Sequence, residues 1–158
     1  MTRTQHHELD DVAWRILRTL QSDARAPLKT LAQAAGLSVA ATAERIKRLQ
    51  DAGTVQRFAV ELDAVKVGYP IKAIMGITAT QPGKKALLER LHAAPEVLEC
   101  HHVAGADSYL MTVVAASMDD LERFIGSINP YGETRTSIVF STPIQRRGLE
   151  PPGTIRRP

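Results

Sequence analysis

A cluster of cationic side chains lies near residue 45, where Arg45, Lys47 and Arg48 follow one another closely. Guanidinium and ammonium groups can contact DNA phosphates, and arginine can also donate paired hydrogen bonds to the guanine O6 and N7 atoms. Small residues precede the cluster and would let the backbone approach base edges. The predicted DNA-binding residues are Ser38, Ala40, Ala41, Thr42, Arg45, Lys47 and Arg48. The alternative is a plain helical packing unit whose cations are merely solvated.

A second group of reactive side chains, Cys100-His101-His102, suggests a metal site. Neighbouring side chains on a strand point to opposite faces, so His101 and His102 cannot chelate one ion together. Cys100 and His102 share a face, but a zinc site needs more ligands than the nearby sequence offers. Asp107, Ser108 and His102 lack any nucleophile-elbow context for hydrolysis. The sequence therefore predicts no catalytic residues, no metal and no cofactor.

The cationic cluster falls in the third of three predicted amphipathic helices. Asp10 and Ser38 suit the N-caps of the first and third helices, and Gly36 and Gly53 suit helix ends. A three-residue turn separates the second and third helices, which is the spacing of a helix-turn-helix. Four residues of the third helix are predicted to face inward: Val39, Ala43, Ile46 and Leu49. Residues 55–62 read as a strand leaving this head, which would make it a winged helix-turn-helix.

The second half alternates strand and helix patterns. Strands are predicted from residue 71, at residues 97–103, at residues 109–115 and at residues 134–141, with helices in the two longer gaps. The order β-α-β-β-α-β is that of the ferredoxin-like fold, giving an α+β protein. Ile74 opposes Met75 on the first strand, so both sheet faces carry apolar residues. A sheet bare on one side usually buries that side by self-association, which predicts a homo-oligomer.

Charge divides the chain into three parts. Residues 1–62 carry a net charge of +2, residues 63–142 carry −2, and residues 143–158 carry +3. We expect a head at residues 1–62, an oligomerisation and effector domain at residues 63–145, and a basic, disordered tail at residues 146–158. No apolar run is long enough for a membrane helix, and the single Cys100 suits a reducing compartment. A cytoplasmic location without membrane contact is expected.

The order of these features resembles the Lrp/AsnC family of amino-acid-responsive transcriptional regulators, from Leu9 to about Pro143. The matching residues are Leu9-Asp10, Gly36-Leu37-Ser38, Arg45-Ile46-Lys47-Arg48-Leu49, Gly53, Glu99-Cys100-His101 and Val103-Ala104-Gly105. The resemblance implies dimers through the ferredoxin-like domain, often assembled into octamers. It also implies an effector amino acid bound between dimers.

The family's effector loop corresponds to a hairpin at Gly105, where many members have a Gly-Asp-x-Asp-Tyr pattern. Here neither acid keeps its usual place, and Asp107 is the only carboxylate. The predicted effector-binding residues are Gly105, Ala106, Asp107, Ser108, Tyr109, Thr134 and Thr136. Backbone N–H groups at the glycine suit an α-carboxylate, and Asp107 suits an α-ammonium group. The alternatives are a plain hairpin turn and, for the two threonines, simple sheet pairing.

The sequence thus predicts a sequence-specific regulator that binds double-stranded DNA and responds to a small molecule, with an amino acid the expected effector. An architectural protein that wraps DNA without an effector fits the same head. A small-molecule enzyme on a ferredoxin-like fold is disfavoured because no nucleophile–base constellation or phosphate-binding glycine loop is present.

Overall fold

The computed structural model describes residues 9–80 and 82–153, which belong to two compact units. One unit contains the chain up to Val60 and again from Gln145 onward, and the other runs from Glu61 to Ile144. Within the described ranges, no helix has the length and apolar character that crossing a membrane requires. The chain therefore leaves the first unit, forms the second and returns to the first.

Helix ends in the first unit follow the predicted local signals. Its helices are α1 (Asp11–Ser22), α2 (Leu28–Ala35) and α3 (Val39–Asp51). The Asp10 carboxylate accepts a hydrogen bond from the Ala13 N–H, and the Ser38 hydroxyl accepts one from the Ala41 N–H. Gly36 ends α2 with a φ of 69°, a left-handed conformation that favours glycine. The predicted caps and the helix-turn-helix spacing are confirmed.

The helical core is small, and the predicted inward face of α3 is confirmed at Ile46 and Leu49 but wrong at Val39 and Ala43. It contains Ala13, Ile16, Leu17, Ala35 and Leu49. On α3, Val39 is 47% exposed and Ala43 is also exposed, whereas Thr42 is fully buried. The buried side of α3 runs through Thr42, Ile46 and Leu49, so it differs from the prediction in the first half of the helix. Thr42 tolerates burial because its hydroxyl donates to the Ser38 carbonyl.

The strand predicted for residues 55–62 does not form, so the described part of the head has no wing. Phe58, Val60 and Leu62 alternate as in a strand but are 49%, 83% and 66% exposed. A strand needs a neighbour to pair its backbone groups, and the described residues supply none here. The alternation of apolar residues at positions 58, 60 and 62 was therefore not sufficient to predict a strand.

The predicted disorder of the tail is wrong for residues 148–150, which lie against α1. The Gln21 side-chain amide donates to the Leu149 carbonyl at 3.0 Å and accepts from the Leu149 N–H at 2.6 Å. Glu150 pairs with Arg18 at 2.8 Å. Residues 154–158 lie outside the described residues. Residues 149 and 150 are thus attached to α1 by hydrogen bonds and an ion pair.

The second unit is a four-stranded antiparallel sheet with two helices on one face. Its elements are β1 (Ile71–Ala79), α4 (Lys84–His92), β2 (Val97–His102), β3 (Tyr109–Ala115), α5 (Met118–Ile128) and β4 (Gly132–Ile138). The strand order is β2-β3-β1-β4, with every neighbouring pair antiparallel. This topology confirms the ferredoxin-like prediction, although β4 begins and ends earlier than expected.

The two sheet faces differ in what covers them. Helix-side residues form the main core, with Met75, Ile77 and Met111 almost fully buried against α4 and α5. The opposite face, called here the open face, carries Ile74, which remains 50% exposed. Residues that pair directly across neighbouring strands point to the same face. The residues paired with Ile74, which are Thr112 on β3 and Ser137 on β4, therefore also lie on the open face.

Candidate functional site

The exposed side of α3 carries most of the predicted DNA-binding residues. Ser38 begins the helix, and Ala40 and Ala41 are exposed in its first turn. Lys47 is exposed, and it has no ion-pair partner within residues 9–80 and 82–153. Thr42 is different, because its buried side chain cannot contact an outside partner. The prediction is therefore corrected at Thr42, which supports the helix from within.

Arg48 remains available at the surface although it has a partner. Its Nε atom donates to Glu44 at 3.1 Å, one turn earlier on α3. The Arg48 side chain is 75% exposed and that of Glu44 is 56% exposed. Such a solvent-exposed pair contributes under about 1 kcal/mol. A phosphate or base edge can therefore compete for this guanidinium.

Arg45 has an ion-pair partner that the sequence analysis did not identify. Its Nη1 atom lies 2.7 Å from each carboxylate oxygen of Asp10. Asp10 also caps α1, so this pair connects the start of α1 to the middle of α3. Hydrogen bonding from Arg45 and from the Ala13 N–H lowers the pKa of Asp10. The carboxylate therefore stays ionised and neutralises part of the positive charge on α3.

The predicted effector loop, between β2 and β3, is fastened to the end of β1. The Thr78 hydroxyl donates to the Ala106 carbonyl at 3.0 Å. The Ser108 N–H donates to the Ile77 carbonyl at 2.9 Å, and the Ser108 hydroxyl accepts from the Ala79 N–H. These bonds fix the loop on both sides of Asp107.

Asp107 lies over the open face and has an unpredicted partner. Its Oδ1 atom is 2.5 Å from Nη2 of Arg135, which stands directly opposite Gly76 in the β1–β4 register. A Cβ atom at Gly76 would lie 2.5 Å from the Asp107 carboxylate carbon. Gly76 therefore makes room for the carboxylate. A glycine inside a strand pattern often marks such close approach, and this signal was available in the sequence.

The Gly105 backbone does not adopt a conformation that requires glycine. Its φ is not positive, and a Cβ atom there would meet nothing within 4 Å. The loop therefore does not require the conformational freedom of glycine at this position. Among the described residues, the backbone N–H groups of Gly105, Ala106 and Asp107 donate to no protein acceptor. Gly105 and Ala106 are exposed residues, and Asp107 is partly buried.

The two predicted threonines do not join Asp107. Thr134 pairs with Ile77 and Thr136 with Met75, so both lie on the helix side of the sheet. The Thr134 hydroxyl donates to Asn129 at 2.8 Å. Asp107 and Arg135 lie on the open face instead. Within one subunit, the sheet separates the predicted effector residues into two groups.

Tyr109 begins β3 and is buried, with its ring centroid 5.0 Å from that of His102. Both residues border a cavity of about 500 Å³ beside α4, which Cys100 also lines. Partial burial raises the pKa of the Cys100 thiol. The described residues contain no group of three or more side chains able to hold a metal ion.

Comparison with known proteins connects both units to one family. The family model of the AsnC-type helix-turn-helix domain matches residues 9–50, and that of the Lrp/AsnC ligand binding domain matches residues 72–149. The HTH-type transcriptional regulator LrpA of Mycobacterium tuberculosis is 36% identical over 137 residues, covering 85% of this chain and 91% of the relative.

Two solved structures show the same fold. That of LrpC from Bacillus subtilis has a TM-score of 0.83 at 27% identity, covering 87% of this chain and 99% of that one. A feast or famine regulatory protein from M. tuberculosis, complexed with L-methionine, has a TM-score of 0.82 at 35% identity. The match covers 88% of this chain and 97% of that protein. The curated relatives are named as transcriptional regulators rather than enzymes. The chain therefore belongs to the Lrp/AsnC family of transcriptional regulators.

Proposed function

We propose that this regulator binds specific double-stranded DNA through α3 and that an amino acid alters its assembly or its affinity for DNA. The observation that carries the DNA half is the exposed cationic side of α3, which lies opposite the buried Thr42 and Leu49. A helix-turn-helix presents its second helix to the major groove, where side chains reach base edges.

The candidate residues of α3 differ in their exposure and in their ion-pair partners. Arg48 and Lys47 are the main cationic contacts in this proposal because both are exposed. Ser38, Ala40 and Ala41 let the backbone at the start of the helix approach the base edges closely. Arg45 contributes from a fixed position, with part of its charge neutralised by Asp10.

The DNA proposal is tested with Arg48→Ala. Duplexes selected by the wild-type protein from a random pool serve as specific sites, and unselected duplexes serve as the comparison. If Arg48 reads a base, specific binding weakens by about 1–3 kcal/mol while unselected binding changes little. If it contacts a phosphate, both weaken alike and the salt dependence becomes shallower. Arg123→Ala on α5 is the matched control, and wild-type behaviour of Arg48→Ala contradicts the assignment.

The effector half of the proposal assigns the ligand to the loop at residues 105–109. The unpaired N–H groups of Gly105, Ala106 and Asp107 suit a carboxylate, and Asp107 supplies a negative charge for an ammonium group. A relative at 35% identity was solved as a complex with L-methionine. Ser108 and Tyr109 hold this loop on the sheet, and Thr134 and Thr136 could take part only from another subunit.

A thermal-shift screen of the twenty amino acids tests this half. A true effector raises the melting temperature through mass action, since it binds only the folded state. Asp107→Asn should then weaken binding by about 1.5–3 kcal/mol if a charge-assisted hydrogen bond is lost. Gly105→Asp should abolish the effector response while DNA binding persists. Stabilisation by none of the twenty would favour the architectural alternative.

The oligomeric part of the proposal is a homodimer through the open face, assembling further to an octamer. Ile74 lies half exposed at the centre of this face, and burial of such a surface favours self-association. Sedimentation velocity of the full chain should show a dimer or a larger assembly at micromolar concentration. A monomer under those conditions contradicts the proposal.

A further inference from the structure

The cavity beside α4 begins where the loop between β2 and β3 ends. It has a volume of about 500 Å³ and lies between α4 and β2, an edge strand of the sheet. His102 and Tyr109 stand at the two ends of the loop, and both line the cavity. The Val103 N–H donates to the Ser108 carbonyl at 3.0 Å, which holds these two ends together. The loop and the cavity are therefore contiguous.

The cavity lies on the helix side of the sheet. Its strand residues Cys100 and His102 pair with Met111 and Tyr109, and both of these belong to the core under α4 and α5. Residues that pair across neighbouring strands point to the same face. The dimer proposed above buries the opposite, open face. Self-association through the open face therefore leaves this cavity where it is.

The lining of the cavity is mainly apolar. The apolar side chains that line it are Leu88, Leu91, Ala94, Val97 and Leu98. Partial burial raises the pKa of the Cys100 thiol, which therefore stays neutral at neutral pH. His92 and His102 supply polar atoms at the border. Among the described residues, no lysine or arginine lines the cavity.

Glu99 borders the cavity, but its carboxylate belongs to the open face. It pairs with Thr112, which also pairs with Ile74, and it lies 3.3 Å from the His101 Nε2 atom. A charged side chain of a ligand would therefore find no fixed opposite charge inside the cavity. Its desolvation would be costly, whereas an apolar side chain would gain by burial.

We propose that this cavity receives the side chain of the effector, so that the effector is a large apolar amino acid. The inference rests on the effector loop proposed above, where the N–H groups of Gly105 and Ala106 take the α-carboxylate. The side chain then extends past Tyr109 and lies against the apolar wall of α4. A mainly apolar lining with a few polar groups is typical of small-molecule pockets of this size. A single methyl group would leave most of the volume empty, so longer apolar side chains bind more tightly.

The first experiment is a calorimetric titration of the wild-type protein with six L-amino acids. The bulky apolar probes are leucine, methionine and phenylalanine, and they are compared with alanine, lysine and glutamate. At least one bulky apolar amino acid should bind at least about tenfold tighter than alanine, because it buries several more methylene groups. Lysine and glutamate should bind no more tightly than alanine.

Filling the cavity tests the location. Cys100→Phe places a ring in the cavity and should weaken binding of the bulky apolar amino acids at least about tenfold. Cys100→Ser leaves the cavity open and should bind them like wild type. Glu122→Phe adds the same ring on the exposed side of α5 and is the matched control.

Cys100 is the single cysteine of the chain, which allows the same test on protein that is already folded. Benzyl methanethiosulfonate attaches a benzyl group to this thiol and should weaken binding as Cys100→Phe does. Methyl methanethiosulfonate adds only a methylthio group and should have a smaller effect. The labelled protein decides the question if Cys100→Phe does not fold.

Wild-type affinity for the bulky apolar amino acids after benzyl labelling overturns the inference and leaves the proposed effector loop standing. An effector screen that identifies only polar or charged amino acids has the same consequence. If the benzyl group blocks assembly in sedimentation while amino-acid binding is unchanged, the cavity receives another subunit and the inference is wrong. If none of the twenty amino acids stabilises the protein, the proposed effector function fails and the inference fails with it.

Discussion

The helical unit and the sheet unit position their charged residues by different means. In the helical unit, signals within a few residues fix each helix, so Ser38 begins α3 and Gly36 ends α2. In the sheet unit, the surroundings of Asp107 come from Gly76 and Arg135, about thirty residues away on either side. Local signals therefore place the DNA-binding candidates, whereas strand register creates the effector candidate.

Each unit also contains an ion pair between an aspartate and an arginine that are distant in the sequence, and the two pairs differ in how exposed the aspartate is. In the pair Asp10–Arg45, the aspartate side chain is 52% exposed. In the pair Asp107–Arg135, it is 16% exposed. In the first pair, Asp10 neutralises part of the positive charge of Arg45. In the second, Arg135 neutralises part of the negative charge of Asp107. Each unit thus restrains its own candidate binding residue with an opposite charge.

The largest expected effect is on the stability of the two cores, each tested by one substitution. Ile16 and Ile77 are both fully buried, the first in the helical unit and the second in the sheet unit. Ile16→Ala and Ile77→Ala should each cost about 3 kcal/mol through lost burial and a cavity. Because the helical core is small, Ile16→Ala should abolish DNA binding while assembly persists.

Trp14 makes this measurable, because it is the single tryptophan of the chain and packs against the helical core. Its fluorescence should report early urea unfolding in Ile16→Ala but not in Ile77→Ala, while sedimentation reports assembly. Loss of assembly in Ile16→Ala would mean that the two cores are not independent.

A smaller effect is expected at the open face. Ile74→Asp places a charge where apolar burial is proposed, and it should weaken self-association at least tenfold, or about 1.4 kcal/mol. Met118→Asp is the control, since Met118 is 54% exposed at the start of α5. Sedimentation equilibrium measures both variants. A wild-type dissociation constant for Ile74→Asp would remove the open face from the interface.

The tail tests whether non-local contacts matter in the helical unit too. Gln21→Ala removes both side-chain hydrogen bonds to Leu149 and should cost about 1 kcal/mol of local stability. Trypsin cleavage at Arg146 or Arg147 should then be about fivefold faster, because it samples the opened tail. Gln33→Ala, exposed on α2, is the control. Equal cleavage rates would mean that the attachment is negligible.

The sequence was most informative where structure depends on neighbouring residues. Asp10, Ser38 and Gly36 carry their cap signals in their own side chains, and periodicity was enough to give the β-α-β-β-α-β order. The Asp107 site was predicted only in part, because the role of Arg135 arises from the β1–β4 register. The same register places Thr134 on the helix side of the sheet, away from Asp107. The strand at residues 55–62 failed for a related reason, since pairing partners are not encoded by alternation.

The smallest effect concerns the pH dependence of the helical unit. The pKa of Asp10 is lowered in the folded state, first by its hydrogen bond from Arg45. A lowered pKa contributes stability that is fully present above the unfolded value of 3.8 and is lost as pH falls through the folded value. Asp10→Asn retains a good N-cap but lacks the charge. It should therefore be less stable than wild type at neutral pH, by under about 1 kcal/mol because the pair is exposed. The difference should shrink below pH 3.8, as the wild-type carboxylate becomes protonated. Urea unfolding followed by Trp14 fluorescence between pH 7 and about pH 3 measures this difference.

Asp120→Asn is the counterpart in the sheet unit, where the pKa of Asp120 is lowered first by its hydrogen bond from Ser117. Because Trp14 lies in the helical unit, Asp120→Asn should leave its unfolding curve unchanged. A pH-independent difference for Asp10→Asn would mean that the Arg45 pair contributes nothing to folding.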